Sequence, residues 1–175
     1  AAFPKAKWHQ WEPAGRDAVR AGARIAFGQP AETRYDLGAA DVVVALDSDF
    51  LSSGPDSVRN AKAFSARRRL ASGSQDMSRF YAVEVSPTPT GTLADHRLPL
   101  RASALPAFVE ALGAELGLAG FARPSGLAER VLKFASTAAK DLKAATGRSV
   151  VVAGDFAPAE VHAAAHAMNE ALGNV

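Results

Sequence analysis

Ala40-Asp41-Val42-Val43-Val44-Ala45-Leu46, running directly into Asp47-Ser48-Asp49, is the stretch on which the fold turns. An unbroken β-branched and aliphatic run without polar alternation describes a strand covered on both faces, as in a parallel sheet held between helical layers. Two further segments share that character: Phe80-Tyr81-Ala82-Val83-Glu84-Val85, and Ser149-Val150-Val151-Val152-Ala153-Gly154. Between the first two strands, Ser53-Gly54-Pro55-Asp56 predicts a helix start with Pro55 at the first helical position. That helix is expected to reach about Leu70 and to stop at Ser72-Gly73-Ser74. Strand, helix and strand in this order predict a right-handed crossover between parallel neighbours.

Further helices follow from apolar spacing. Ala14 to Gly28 carries Ala18, Val19, Gly22, Ile25 and Ala26 on one stripe, and Gly28-Gln29-Pro30 stops it. A segment from about Ser103 aligns Leu105, Phe108, Val109, Leu112 and Leu116, with Gly117 and Gly120 loosening its end. A longer one from Ser125 aligns Leu127, Val131, Phe134, Ala135, Ala138 and Leu142 and ends at Gly147. Pro158 to Leu172 turns Val161, Ala165, Met168 and Leu172 inward, while Pro87-Thr88-Pro89-Thr90-Gly91 reads as loop. The fold class expected is α/β: one domain over residues 1–175, a three-layer Rossmann-like parallel sheet of three to four strands flanked by helices.

Composition narrows the chemistry. The 175 residues contain no cysteine, which excludes disulfides, a thiolate nucleophile, a cysteine-type zinc finger and cysteine-ligated iron–sulfur clusters within them. The longest apolar runs fall far short of the about 20 residues that span a bilayer. Twenty Lys and Arg nearly balance 18 Asp and Glu, so no field for nucleic acid is expected. The one basic cluster, Arg67-Arg68-Arg69, reads as a solvated helix end that complements the helix dipole. The opening Ala1-Ala2-Phe3-Pro4-Lys5 has no signal-peptide pattern, which is expected of a cytosolic protein or of a trimmed fragment.

In an open parallel sheet, ligands sit beyond the carboxyl ends of the strands. Three such turns are legible: 47–55, 86–91 and 154–157. A dinucleotide site asks for glycines at the first of them, where this chain has Asp47 and Asp49, which repel phosphate. Asp47, Asp49 and Asp155 could instead gather a magnesium ion, or simply form turn and capping hydrogen bonds. His162 and His166 share a helical face at i,i+4, but Ala163 stands where zinc-protease chemistry needs glutamate. They read as structural histidines, with a metal pair as the sharper alternative. In Trp8-His9-Gln10-Trp11-Glu12-Pro13, His9 and Glu12 offer an acid–base pair beside an aromatic platform; the plainer reading is an arm whose aromatics pack on the sheet. No nucleophile elbow, P-loop or Ser/His/Asp order appears, so no catalytic residue is assigned.

Four strings, taken in order, resemble a known family: Trp8 to Pro13; Leu46-Asp47-Ser48-Asp49-Phe50-Leu51; Pro87 to Gly91 with Ala94-Asp95-His96-Arg97-Leu98-Pro99; and Val161-His162-Ala163-Ala164-Ala165-His166-Ala167-Met168-Asn169. They are similar to the molybdopterin-oxidoreductase-like region of the large iron–sulfur subunit of alternative complex III, a quinol:electron-acceptor oxidoreductase of bacterial respiratory and photosynthetic chains. The resemblance covers nearly the whole chain. It implies the α/β domain shared with formate dehydrogenase and dimethyl sulfoxide reductase, and it marks Asp47, Asp49, Thr88, Thr90, Asp95 and Gly154 as the positions of a cofactor site, retained or vestigial. Two departures matter: Asp47-Ser48-Asp49 replaces a Gly-x-Asn-Pro type turn, and Leu100-Arg101-Ala102-Ser103 replaces the expected Pro-Gly-Thr-Asp.

The resemblance thus implies a cofactor-free scaffold rather than a molybdopterin or guanine-nucleotide binder. The partners it implies are a cluster-bearing ferredoxin-like region of the same polypeptide, heme c subunits and an integral-membrane quinol-binding subunit. They would meet at the periplasmic face of the inner membrane, with iron–sulfur clusters carried elsewhere in the polypeptide. Two alternatives stand beside the scaffold: a retained molybdopterin or guanine-nucleotide binding domain, and a metal-assisted hydrolase using the strand-end aspartates.

Overall fold

Val42, Val44 and Leu46 face one side of the first strand, and Val43 and Ala45 the other; all five are buried. The computed structural model, which describes residues 3–9, 11, 14–70 and 76–175, places this strand inside a four-stranded, all-parallel sheet. In chain order the elements are α1 (Asp17–Phe27), β1 (Val42–Leu46), α2 (Ser57–Arg67), β2 (Arg79–Glu84), β3 (His96–Pro99), α3 (Leu105–Leu116), α4 (Glu129–Ala144), β4 (Ser149–Ala153) and α5 (Ala159–Ala171). The strand order is β3-β2-β1-β4. Val43 pairs with Phe80 on one side and Val150 on the other.

The alternation of β1 divides the core in two. Val42, Val44 and Leu46 join Tyr81, Val83, Val151 and the inner faces of α3, α4 and α5. Val43 and Ala45 join Phe80, Val150 and Val152 under Phe50 and the Phe64 of α2. There Phe50, Phe64 and Phe80 meet edge to face at centroid separations of 5.4 to 6.1 Å, the arrangement that aromatic quadrupoles favour. These are the three layers expected of the α/β class.

β4 is an edge strand, and α5 covers its open side. Asn169 accepts from the Val151 N–H at 2.9 Å and donates to the Val151 carbonyl at 2.8 Å, acting as a substitute strand. An edge closed in this way offers no template for pairing with another chain.

Several local expectations are corrected. The α2 helix begins at Ser57, after Gly54 has turned the chain at φ +84°, so Pro55 lies in the turn and not at the first helical position. In α1 the buried residues are Val19, Gly22 and Ala23, whereas Ile25 is exposed. The helix approaches α5 through Gly22, where an added Cβ would stand 2.3 Å from the His162 Cβ, and this seam rotates Ile25 outward. Trp8 and Trp11 are 90% and 84% exposed rather than packed on the sheet, whose faces the helices already cover. Gln10, Glu12 and Pro13, and with them the proposed His9–Glu12 pair, lie outside the described residues, as does the helix stop at Ser72-Gly73-Ser74.

The basic cluster is also built into the fold. Arg67 pairs with Asp41, which Arg148 also reaches, and Arg68 stacks on Phe64 while gripping Asp95. Only Arg69 of the three remains exposed.

Candidate functional site

Beyond the carboxyl end of β1, Asp47 adopts φ +52°, a left-handed conformation that aspartate tolerates better than most residues. Both of its sides are held by β2. Its N–H donates to the Val83 carbonyl at 2.7 Å, and its carboxylate accepts from the Val85 N–H at 3.0 Å. Asp49 reaches the same neighbouring turn, accepting from the Thr90 N–H at 3.1 Å and from the Ser52 hydroxyl at 2.8 Å. Thr90 returns the link by accepting from the Leu51 N–H at 3.1 Å. Thr88 donates its hydroxyl to Glu84 at 2.7 Å and accepts from the Gly91 N–H at 2.9 Å.

Gly154 completes the closure from β4. Its N–H donates to the Leu46 carbonyl at 3.0 Å, and a Cβ there would meet the Asp47 carbonyl oxygen at 1.9 Å. The fold thus brings Asp47, Asp49, Thr88, Thr90 and Gly154 to the carboxyl end of the sheet, where Asp49 bonds Thr90 and Gly154 packs on Asp47, while Thr88 bonds Glu84 and Gly91 instead. Asp95 lies elsewhere. It precedes β3 at the amino edge of the sheet, where it accepts from the Phe80 N–H at 2.8 Å and holds Arg68 through two bonds of 2.7 and 2.8 Å. The Arg68 hydrogen bond, assisted by that N–H, keeps the Asp95 carboxyl below its ordinary value.

The sheet order reverses between β1 and β4, and a cavity of about 260 Å³ opens there. Its walls include Asp49, Asp155 and His162, together with two residues that the sequence reading did not single out, Arg16 and Tyr35. Arg16 donates to Asp155 at 3.1 Å and to Glu32 at 3.2 Å. Burial pushes the Tyr35 hydroxyl up to about 12, against the pull of Arg16. A phenol at that value is neutral over the physiological range and can only donate or accept a hydrogen bond.

Burial also lowers both imidazoles. For His162, Asp155 works against that shift while His166 and Arg16 add to it. His166 rests on the Phe27 ring at a centroid distance of 4.8 Å. Among the described residues, no group of three or more His, Asp or Glu side chains is placed to hold a metal ion.

These shifts set a pH dependence. Because the folded imidazoles titrate below 6.5, the unfolded chain binds more protons between their depressed values and 6.5. Their contribution to stability is complete above that window and is lost as pH falls through it. Asp95 and Asp141 are held below 3.8, so their contribution disappears only in stronger acid. The urea midpoint is therefore expected to drop already between about pH 7 and pH 5.5, ahead of carboxylate protonation. A midpoint that stays flat across that range would contradict the lowered values of the buried His162 and the half-buried His166.

Compared with models of known protein families and with curated proteins, the chain matches none.

Proposed function

We propose that this chain is a non-catalytic scaffold or interaction domain of a respiratory iron–sulfur oxidoreductase subunit, of the kind found in alternative complex III. The observation that carries the reading is the mutual engagement of the strand-end side chains. Asp47, Asp49 and Thr90 tie the β1 turn to the β2 turn, and Gly154 seats the β4 turn against Asp47.

A pterin dinucleotide needs donors aimed at its phosphates and a crevice that admits it. Here carboxylates stand at that place and the turns are joined, so the residues present do not fit the cofactor. An α/β domain of this kind offers helices on both faces for neighbours, and no helix among the described residues is long and apolar enough to cross a membrane. Electron transfer then belongs to a cysteine-bearing ferredoxin-like region of the same polypeptide. The heme c and quinol-binding subunits assemble around it at the periplasmic face.

The test is to purify the native polypeptide that contains this chain together with whatever remains bound to it. Iron, sulfide and heme c subunits are expected, with neither molybdenum nor pterin. Stoichiometric molybdenum or pterin would overturn the reading in favour of a retained cofactor domain. Isolation without any iron–sulfur partner would overturn the scaffold role itself.

A further inference from the structure

Two apolar surfaces of this chain lack a cover, and they carry opposite charge. The first is the arm that precedes α1, where Phe3, Trp8 and Trp11 stand almost wholly in water. Single exposed hydrophobics are ordinary, but three large aromatics within nine residues make a contact segment without its contact. Residues 3–11 also carry Lys5 and Lys7 and no acid.

The second is a groove of about 360 Å³ along α5, lined by Ile25 and Phe27 of α1, by Phe121, and by Ala163 and Ala167 of α5. The Gly22 seam that rotates Ile25 away from the core thereby gives the groove part of its apolar lining. Small alanine side chains beside aromatic ones leave the kind of concave apolar space that takes a ring. The charged members of the lining are Glu110, Glu160 and Glu170, all exposed, with no Lys or Arg among them. An arm with two indoles and two lysines matches this groove in both polarity and sign. Exposed ion pairs at such a rim set orientation, and the affinity rests on the indoles.

The arm joins α1 at Asp17, whereas the groove lies at the other end of that helix, about 15 Å along its axis. To reach its own groove the arm would have to double back, and in the single chain both indoles stay in water. A second copy presents its groove without that reversal. Each tryptophan buries about 150–250 Å², so two arms in two grooves, each covering an equal area of wall, would bury about 1,200–2,000 Å² in all, which is what a specific, stable interface needs.

We propose that two copies of this chain form a twofold dimer by exchanging arms, with Trp8 and Trp11 of each copy seated in the α1–α5 groove of the other and Lys5 and Lys7 beside its glutamates. The exchange is mutual, so the assembly closes at two. The inference goes beyond the scaffold reading and does not rest on it.

Trp8 and Trp11 are the only tryptophans of the 175 residues, so indole emission reports on the arm alone. The experiment follows sedimentation and emission of the whole chain from about 1 μM to about 1 mM. A dimer is expected to grow with concentration while the emission moves to shorter wavelength in step. Ile25→Arg, at an exposed position, should raise the dimer dissociation constant about tenfold or more. Glu160→Lys with Glu170→Lys should act in the same direction, whereas Val58→Arg, at an equally exposed site on α2, should leave the dimer unchanged. A variant with Trp8→Ser and Trp11→Ser keeps its groove, and Ile25→Arg keeps its arm. The two should therefore pair with each other more tightly than either pairs with itself.

Three results would overturn the inference: a monomer at every concentration, a dimer that survives both Ile25→Arg and the loss of the tryptophans, or short-wavelength emission that does not depend on concentration. The last would mean that the arm folds onto its own chain.

Discussion

Gly154→Ala is expected to lower the stability of the chain by about 3 kcal/mol or more, the upper end of what overpacking costs. The added Cβ would stand 1.9 Å from the Asp47 carbonyl oxygen, 2.6 Å from the Asp47 carbonyl carbon and 2.9 Å from the Ser48 Cα. All three atoms are backbone, so no side chain can swing aside. Relief requires β4 to part from the β1 turn, which strains the Gly154 N–H bond to Leu46 and the left-handed Asp47 that β2 holds on both sides.

Two other glycines calibrate the effect. Gly126 sits at φ +85° with open space around it, so alanine there should cost only the conformational penalty of about 1–2 kcal/mol. At Gly113 the nearest atoms belong to the ring of Phe121, which is a side chain and can move. Urea midpoints of the three variants should therefore rank Gly154→Ala as the most damaged. If it lost no more than Gly126→Ala, the tight seat of β4 on the β1 turn would be refuted. The case against a dinucleotide in that crevice would weaken with it.

The strands that the sequence announces are those buried on both faces. β1, β2 and β4 each present a run of apolar residues with no partner needed to explain it, and each lies within a residue or two of its expected place. β3 carries no such signal. It spans His96–Pro99 at the sheet edge, and only Leu98 of the four is buried, so its pairing with β2 is a tertiary fact and not a local one.

The site divides in the same way. The turns that hold Asp47, Asp49, Thr88, Thr90 and Gly154 were legible because strand ends can be located before the strand order is known, while Thr88 and Thr90 themselves stood out only through the resemblance. Arg16 and Tyr35 were not, because both precede β1 in the chain and reach the cavity only through the packing of α1 on α5 and of the 32–35 segment beside β4. The arginine cluster shows the converse error. Read locally, Arg67-Arg68-Arg69 is a helix end in water, yet Asp41 and Asp95 arrive from elsewhere in the chain to pair with two of the three.

Arg97→Met should be comparably damaging, for a different reason. Glu84 closes β2 and is 3% exposed; its carboxylate lies between the Arg97 guanidinium of β3 and Thr88, which donates its hydroxyl at 2.7 Å and its N–H at 3.3 Å. Gly91 is pressed against the same group, since a Cβ there would meet Glu84 Oε1 at 2.1 Å, so water has little room to replace the lost cation. Removing one member of a buried pair costs about 3–5 kcal/mol, because a charge is left uncompensated. Arg97 itself is 35% exposed against 4% for the Glu84 side chain, which places the expected loss near the lower end.

The charge argument has its own control. Glu84→Gln in the Arg97→Met background keeps an oxygen at the Oε2 place, where the Thr88 N–H and the Thr88 hydroxyl both donate, and it removes the stranded charge. The double variant should therefore recover most of the stability that Arg97→Met loses, a non-additivity that a double-mutant cycle on urea midpoints measures directly. An exposed ion pair would instead cost about 0–1 kcal/mol and show little coupling. A small loss for Arg97→Met, or no recovery in the double variant, would mean that β3 is held by its backbone pairing and Leu98 rather than by Glu84.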